Sequence, residues 1–417
     1  MAHSVLGSVS LGYQLLWDQL RQLCGVQLFV GADDATAVDA PHLLSALGEL
    51  WSGQAPTLLL SVQSPRLLGE LLDHAPANSP WIEVNEMQLR DPDMARRVHQ
   101  AHQRGMTLIW RGEPGQRPRD ALAPCFLRNM VTLTADEALA GLRVSLRRHN
   151  GADATRVNRV SSPVLADHIY EAVASAVLTE HCLDEQGAWA VAGWPMEDVL
   201  HGYRHQRIQP GHRAVVQLIE AIDADDSVEH IEHILSEEPI LAYRFMRYAN
   251  SAALGLRTEI ESIRHGLMVL GYVVLRSWLL EQLPHATSDL NLQPVRSAMV
   301  LRARLMEQLL DAGDGNDLRR ELFLCGLLSQ IDLMLGEPLN AALARLPLSE
   351  RVTSAILDHS GPYVPYLEVA TALESSDTHA TRGLCDSHQM NIENVNRALL
   401  RTLSNARPHP AKGLLLV

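Results

Sequence analysis

The chain has 417 residues, length enough for two domains, with 47% apolar and 20% charged residues and a formal net charge of −14. Of its 35 basic residues only Lys412 is a lysine, which excludes Walker A phosphate loops, Schiff-base enzymes and lysine general bases acting from a folded core. The acidic balance also opposes a nucleic-acid partner, whose binding is driven by counterion release to a basic surface.

Residues 1–212 alternate short apolar runs with amphipathic stretches. QLFVG (27–31), APTLLLSV (55–62), WIEV (81–84), MTLIW (106–110) and MVTLT (130–134) read as buried strands. HLLSALGELW (42–51), SPRLLGELLDH (64–74) and DPDMARRVHQAHQR (91–104) read as helices between them. In the last, Asp91 is the predicted N-cap, Pro92 the first helical residue and Gly105 the stop. This alternation predicts βαβ units and a largely parallel sheet. Past residue 212 strands give way to helical periodicity, in HRAVVQLIEAI, VEHIEHIL, PILAYRFMRYANSA and the segments that follow. On the third of these, Arg244, Arg247 and Ser251 share a polar face while Phe245, Met246 and Ala249 face a core. The predicted organisation is an α/β domain over 1–212, an all-α domain over 213–400 and a tail over 401–417.

The five cysteines (Cys24, Cys125, Cys182, Cys325, Cys385) are scattered and never form C-x-x-C, which argues against disulfides and thiolate zinc. The N-terminal residues lack a signal-peptide pattern. Uncharged apolar runs such as 267–275 fall short of the roughly 18–20 residues of a membrane span. A cytoplasmic protein without membrane insertion is the expectation.

Motifs in the helical half carry a family resemblance. Glu238-Pro239, Asn250-Ser251-Ala252, Ser262-Ile263, Leu270-Gly271 and Leu275-Arg276 fall in the order and spacing of the HDOD signature, and the likeness continues through 323–352. The segment is similar to HDOD domains over most of 213–375. These relatives of HD phosphohydrolases generally lack the His-Asp metal pair. Here Ser329 and Gln330 stand at those positions, and no histidine in the chain precedes an aspartate. An HD metal site is therefore not expected.

The N-terminal half resembles a degenerate EAL domain, the cyclic-di-GMP phosphodiesterase fold. LGYQLLWD (11–18) is similar to "GYELLxR", with Gln14 at a metal-binding glutamate's place. SVQSPRLL (61–68) aligns with "VNLSPRQL", with Val62 in place of the asparagine ligand. WIEVNE (81–86) keeps the carboxylates Glu83 and Glu86. GMTLIWRGEPGQ (105–116) puts Arg111 and Gly112 where the family has its aspartate pair. Two-metal hydrolysis needs clustered carboxylates, and a fixed guanidinium repels cations. The resemblance thus implies a (β/α) barrel without activity, the catalytic lysine being absent as well.

Other residues are weighed against plainer roles. His201 and His205 have the i, i+4 spacing of helical zinc ligands but no identifiable third ligand. His230 and His233 read as a solvated helix face. Glu83 with Glu86 has the makings of an acid/base pair or a ligand contact, and WRGEPGQRP (110–118) of an anion loop; barrel remnants and a structural turn are the plainer readings. Asn250 and Ser251 read as helix-end residues satisfying backbone groups. Trp189 and Trp194 fit packing at a last barrel strand and its exit loop.

Taken together, the sequence predicts a non-catalytic signalling protein that binds other signalling proteins, requires no cofactor or metal, and forms a homodimer if it follows its barrel relatives. Two alternatives stay open. One is a non-hydrolytic cyclic-di-GMP sensor using Arg111 at the barrel mouth; the other is a residual metal-dependent phosphodiesterase.

Overall fold

The computed structural model describes residues 4–32, 38–149, 162–310 and 315–406. Eight strands close into a barrel in chain order. They are β1 (Ser10–Trp17), β2 (Leu23–Gly31), β3 (Thr57–Val62), β4 (Trp81–Asn85), β5 (Leu108–Arg111), β6 (Arg128–Thr132), β7 (Ile169–Glu171) and β8 (Ala190–Ala192). From β2 to β8 neighbours pair parallel, whereas β1 runs antiparallel to both β2 and β8. The carboxyl ends of seven strands and the start of β1 therefore share one rim, the mouth of the barrel. All five strands expected from the apolar runs form.

The helices between strands begin as their sequences dictate. Asp39, Ser64 and Asp91 each accept a backbone N–H at the N-cap, with proline in the first turn of the helix that follows. Gly105 adopts φ +82° after the third of these helices and admits β5. Leu16, Leu59, Ile109, Met130, Ile169 and Ala190 fill one core layer. A second cluster joins Val131, Tyr170 and Val191 to Leu178, Cys182 and Leu183 outside the sheet.

The described chain divides into two compact units, Met1–Pro195 with Ala372–Val417, and Met196–Thr371. This differs from the composition boundary at 212 and from a helical domain running to 400. Helices Thr378–Ser387 and Ile392–Asn405 are amphipathic like their neighbours, so periodicity alone cannot tell where they pack. They pack on the barrel, where the buried Asn396 amide donates to the Leu6 and Val9 carbonyls at 2.8 Å each.

Among the described residues, the named elements of the other unit are all helices. Its helix Pro239–Ala249 buries Phe245, Met246 and Ala249, as expected. The Arg244 guanidinium on its other face is half-buried, reaching Gln282 Oε1 (3.2 Å). The run Ile263–His285 is apolar and long enough to cross a membrane, but Gly271 within it has φ 69° and ψ 171°. That break divides the helix Ile263–Gln282 into two shorter pieces rather than one continuous rod.

Candidate functional site at the barrel mouth

Four separately matched positions, Gln14, Val62, Glu83 and Arg111, line a single cavity of about 370 Å³ at the barrel mouth. Glu83 lies in mid-β4, 6% exposed, and Arg111 ends β5. Arg111 bridges two acids. Its Nη1 is 3.3 Å from Glu83 Oε1, its Nη2 2.8 Å from Glu171 Oε2, and its Nε donates to Glu171 Oε1 at 3.1 Å. The contact with Glu171 is the two-pronged geometry that makes arginine a strong carboxylate partner.

Both carboxylates are further tied down. Ser61 Oγ donates to Glu83 Oε2 at 2.5 Å, and the buried Gln27 amide donates to the same oxygen at 2.8 Å. Thr132 Oγ1 donates to Glu171 Oε1 at 2.6 Å. Burial pushes the Glu83 carboxyl above the usual carboxylate range, although Arg111 and the Ser61 hydroxyl pull the other way. Burial also works against the charge of Arg111, yet Glu83 and Glu171 outweigh it and raise its pKa.

Glu86 does not join this group. It accepts from Trp110 Nε1 (3.2 Å) and Arg119 Nε (3.1 Å), so it shares no partner with Glu83 and the two do not form an acid/base pair. Gly112 has a steric role: a Cβ there would overlap the Trp110 ring. In the loop after β5, Glu113 and Gln116 bond each other, backbone N–H to Oε1 at 3.1 Å and amide to carboxylate at 3.2 Å. This is a self-satisfied turn, in line with the plainer reading.

Sequence reasoning missed Glu171, Gln27, Ser61 and Thr132. Glu171 ends a strand of three residues, too short for a periodic signal. The other three sit inside runs read as buried strands, where a polar residue gives no sign of which partner it meets.

In the helical unit, Ser329 Oγ donates to the Gly326 carbonyl at 2.8 Å and accepts from the buried Arg302 at 3.4 Å. Gln330 is the N-cap of Ile331–Leu335. Glu238 caps Pro239–Ala249 through Ile240 and Leu241 N–H groups, accepts from Gly211 N (2.9 Å) and pairs with buried Arg296 at 2.6 Å. Asn250 holds the helix end, donating to the Met246 and Ile260 carbonyls and accepting from Ile260 N. Ser251 differs from expectation, because its buried Oγ has no hydrogen-bond partner. Gly271 makes the helix break, and Arg276 forms an exposed two-pronged pair with Asp223 at 2.6 and 3.1 Å.

The histidine pairs stay apart from any ligand set. His201 contacts Arg204 at 3.3 Å, while His230 faces Asp226 at 3.6 Å and His233 faces Arg304 at 2.6 Å. Among the described residues, no three His, Cys, Asp or Glu side chains come together as a metal-holding group.

Comparison with known proteins identifies part of the chain. Residues 210–346 match the HDOD domain, so the helical unit carries that domain. The chain is 28% identical over 144 residues to the uncharacterized protein YuxH of Bacillus subtilis, covering 33% of this chain and 34% of that one. It is 21% identical over 198 residues to the cyclic di-GMP phosphodiesterase CdgJ of Vibrio cholerae, covering 47% and 46%. The matched stretches thus span less than half the length of either relative. Among solved structures, the MmoQ response regulator of Methylococcus capsulatus aligns at 14% identity and a TM-score of 0.36, covering 46% of this chain and 98% of that one. Klebsiella pneumoniae BlrP1 in its manganese/cyclic-di-GMP complex aligns at 15% and 0.29, covering 45% and 55%. Scores this low establish no shared fold.

Proposed function

We propose that the protein is a non-catalytic signalling component, built from a degenerate EAL-like barrel and an HDOD domain, that acts in the cytoplasm by binding other signalling proteins. The convergence of Gln14, Val62, Glu83 and Arg111 on one cavity supports the EAL-like reading of the barrel. The observation that carries the non-catalytic reading is the Arg111 bridge. Its guanidinium lies between the two acids, so their charge is already met by a fixed cation. The HDOD match over 210–346 and the likeness to a phosphodiesterase of cyclic di-GMP support a signalling role.

The same geometry speaks against a cyclic-di-GMP sensor. Arg111 is the only basic residue among those lining the described cavity, against Glu83 and Glu374. An anionic dinucleotide meets more acid than base there. The test is calorimetry with cyclic-di-GMP, combined with metal analysis and a hydrolysis assay in manganese and magnesium. No heat and no product are expected. Tight binding without turnover would establish the sensor reading instead, and turnover with bound metal would overturn the inactive one.

A further inference from the structure

Within the barrel unit, Leu373 and Thr378 are fully buried, and the four residues between them, Glu374, Ser375, Ser376 and Asp377, are all polar. This stretch crosses the mouth beside β1, β2 and β3. A Cβ on Gly12 of β1 would overlap the Ser375 carbonyl, and one on Gly31 of β2 would overlap Thr378 Oγ1. The absent side chain at Gly12 thus lets two backbones meet, and that at Gly31 makes room for the Thr378 side chain. Gln63, just past β3, donates Nε2 to the Ser376 carbonyl (2.9 Å) and accepts from Thr378 Oγ1 (3.1 Å). Glu374 and Ser376 line the same cavity as Glu83 and Arg111.

We propose that Glu374–Asp377 is a strap over the barrel mouth, anchored at both ends and released as one piece. It regulates access to the site described above, and so rests on the reading of that mouth as the functional cleft. No apolar side chain lies between the anchors, and segments with few buried apolar contacts open at low free energy. Leu373 and Thr378 keep the ends in place, which confines the motion to the strap. The strap also begins three residues after Thr371, where the chain leaves the helical unit. Connectivity alone therefore gives that unit a route to the mouth.

The test uses Val62→Cys as a reporter, since Val62 lines the cavity and is only 5% exposed. Its alkylation rate is measured in the full chain against a parent retaining Val62, alone and combined with Thr378→Val or Gly12→Ala. Thr378→Val removes one hydroxyl at constant shape; Gly12→Ala forces the Ser375 carbonyl away. Faster hydrogen exchange over 374–377, unchanged exchange in β2–β5 and alkylation about five- to tenfold faster are expected. Should Gly12→Ala unfold the strands, Thr378→Val still gives the reading. An unchanged alkylation rate with the strap exchanging freely, or no change in either readout, overturns the proposal. Neither readout uses turnover or cyclic-di-GMP, so hydrolytic activity would sink the non-catalytic reading and leave the strap standing.

Discussion

Arg111 stands as a fixed cation between two acids, Glu83 and Glu171. Removing it leaves Glu83 buried without its counter-charge, a loss of about 2–3 kcal/mol given that Arg111 is itself about one-third exposed. Arg111→Ala is therefore expected to lower the denaturation midpoint in urea. The pH dependence follows from the raised pKa of Glu83. The folded state holds that proton more tightly than the unfolded chain, so this contribution is complete below the ordinary carboxylate pKa and is lost as pH rises through the folded value. Arg111→Ala raises the folded value further and extends the loss to higher pH; Glu83→Gln abolishes that slope. Denaturation series at several pH values would read both. A contrast is expected in the HDOD signature. Asn250→Ala orphans the Ile260 backbone groups and costs about 2 kcal/mol, while Ser251→Ala, deleting a hydroxyl without a partner, stays within about 0.5 kcal/mol. A further trio resembles a nucleophile relay. Ser162 Oγ is 2.9 Å from His181 Nε2, and His181 Nδ1 is 2.8 Å from Glu185. His181 is fully buried, so these contacts tie elements together rather than face a substrate.

At the scale of elements, Gly271 is a position where a single side chain would strain a helix through the backbone alone. Its φ of 69° with ψ of 171° is a region that L-residues avoid. Gly271→Ala is expected to lose about 1–3 kcal/mol by thermal or urea unfolding, even though the space around it is open. How much was legible in the sequence depends on element length. The eight-residue β1, broken by Gly12 and Gln14, does not read as a strand, whereas the runs behind β2 to β6 announced themselves, and so did helices opened by Asp, Ser and Pro. The three-residue β7 did not, because its pairing with β6 and β8 decides its conformation. Glu171 stayed hidden with it. Resemblance located the rest of the mouth by aligning Gln14, Val62, Glu83 and Arg111, but it could not reveal that Arg111 bridges two acids. That bridge joins β5 to β4 and β7 across the barrel, a relation that no local pattern records.

For the whole molecule, the compact units define which pieces are self-sufficient. A fragment spanning 196–371 is expected to fold and unfold cooperatively by circular dichroism. One spanning 213–400 carries Val395 and Leu399, buried against the barrel in the full chain, onto an exposed surface, and is expected to aggregate. If the longer fragment proved the better behaved, the division at Thr371 would be wrong.

The contact between Asn396 and Leu6 spans 390 residues. A ribosome adding about 5–20 residues per second takes on the order of 20–80 s to deliver the second partner after the first. Once Ala192 has been added, about halfway through that interval, the nascent barrel has all eight strands yet still lacks the helices that cover β1. The helical unit, encoded wholly within the gap, is free to fold first. Synthesis thus imposes an order opposite to that of the gene: the half that starts the chain is the last to be finished.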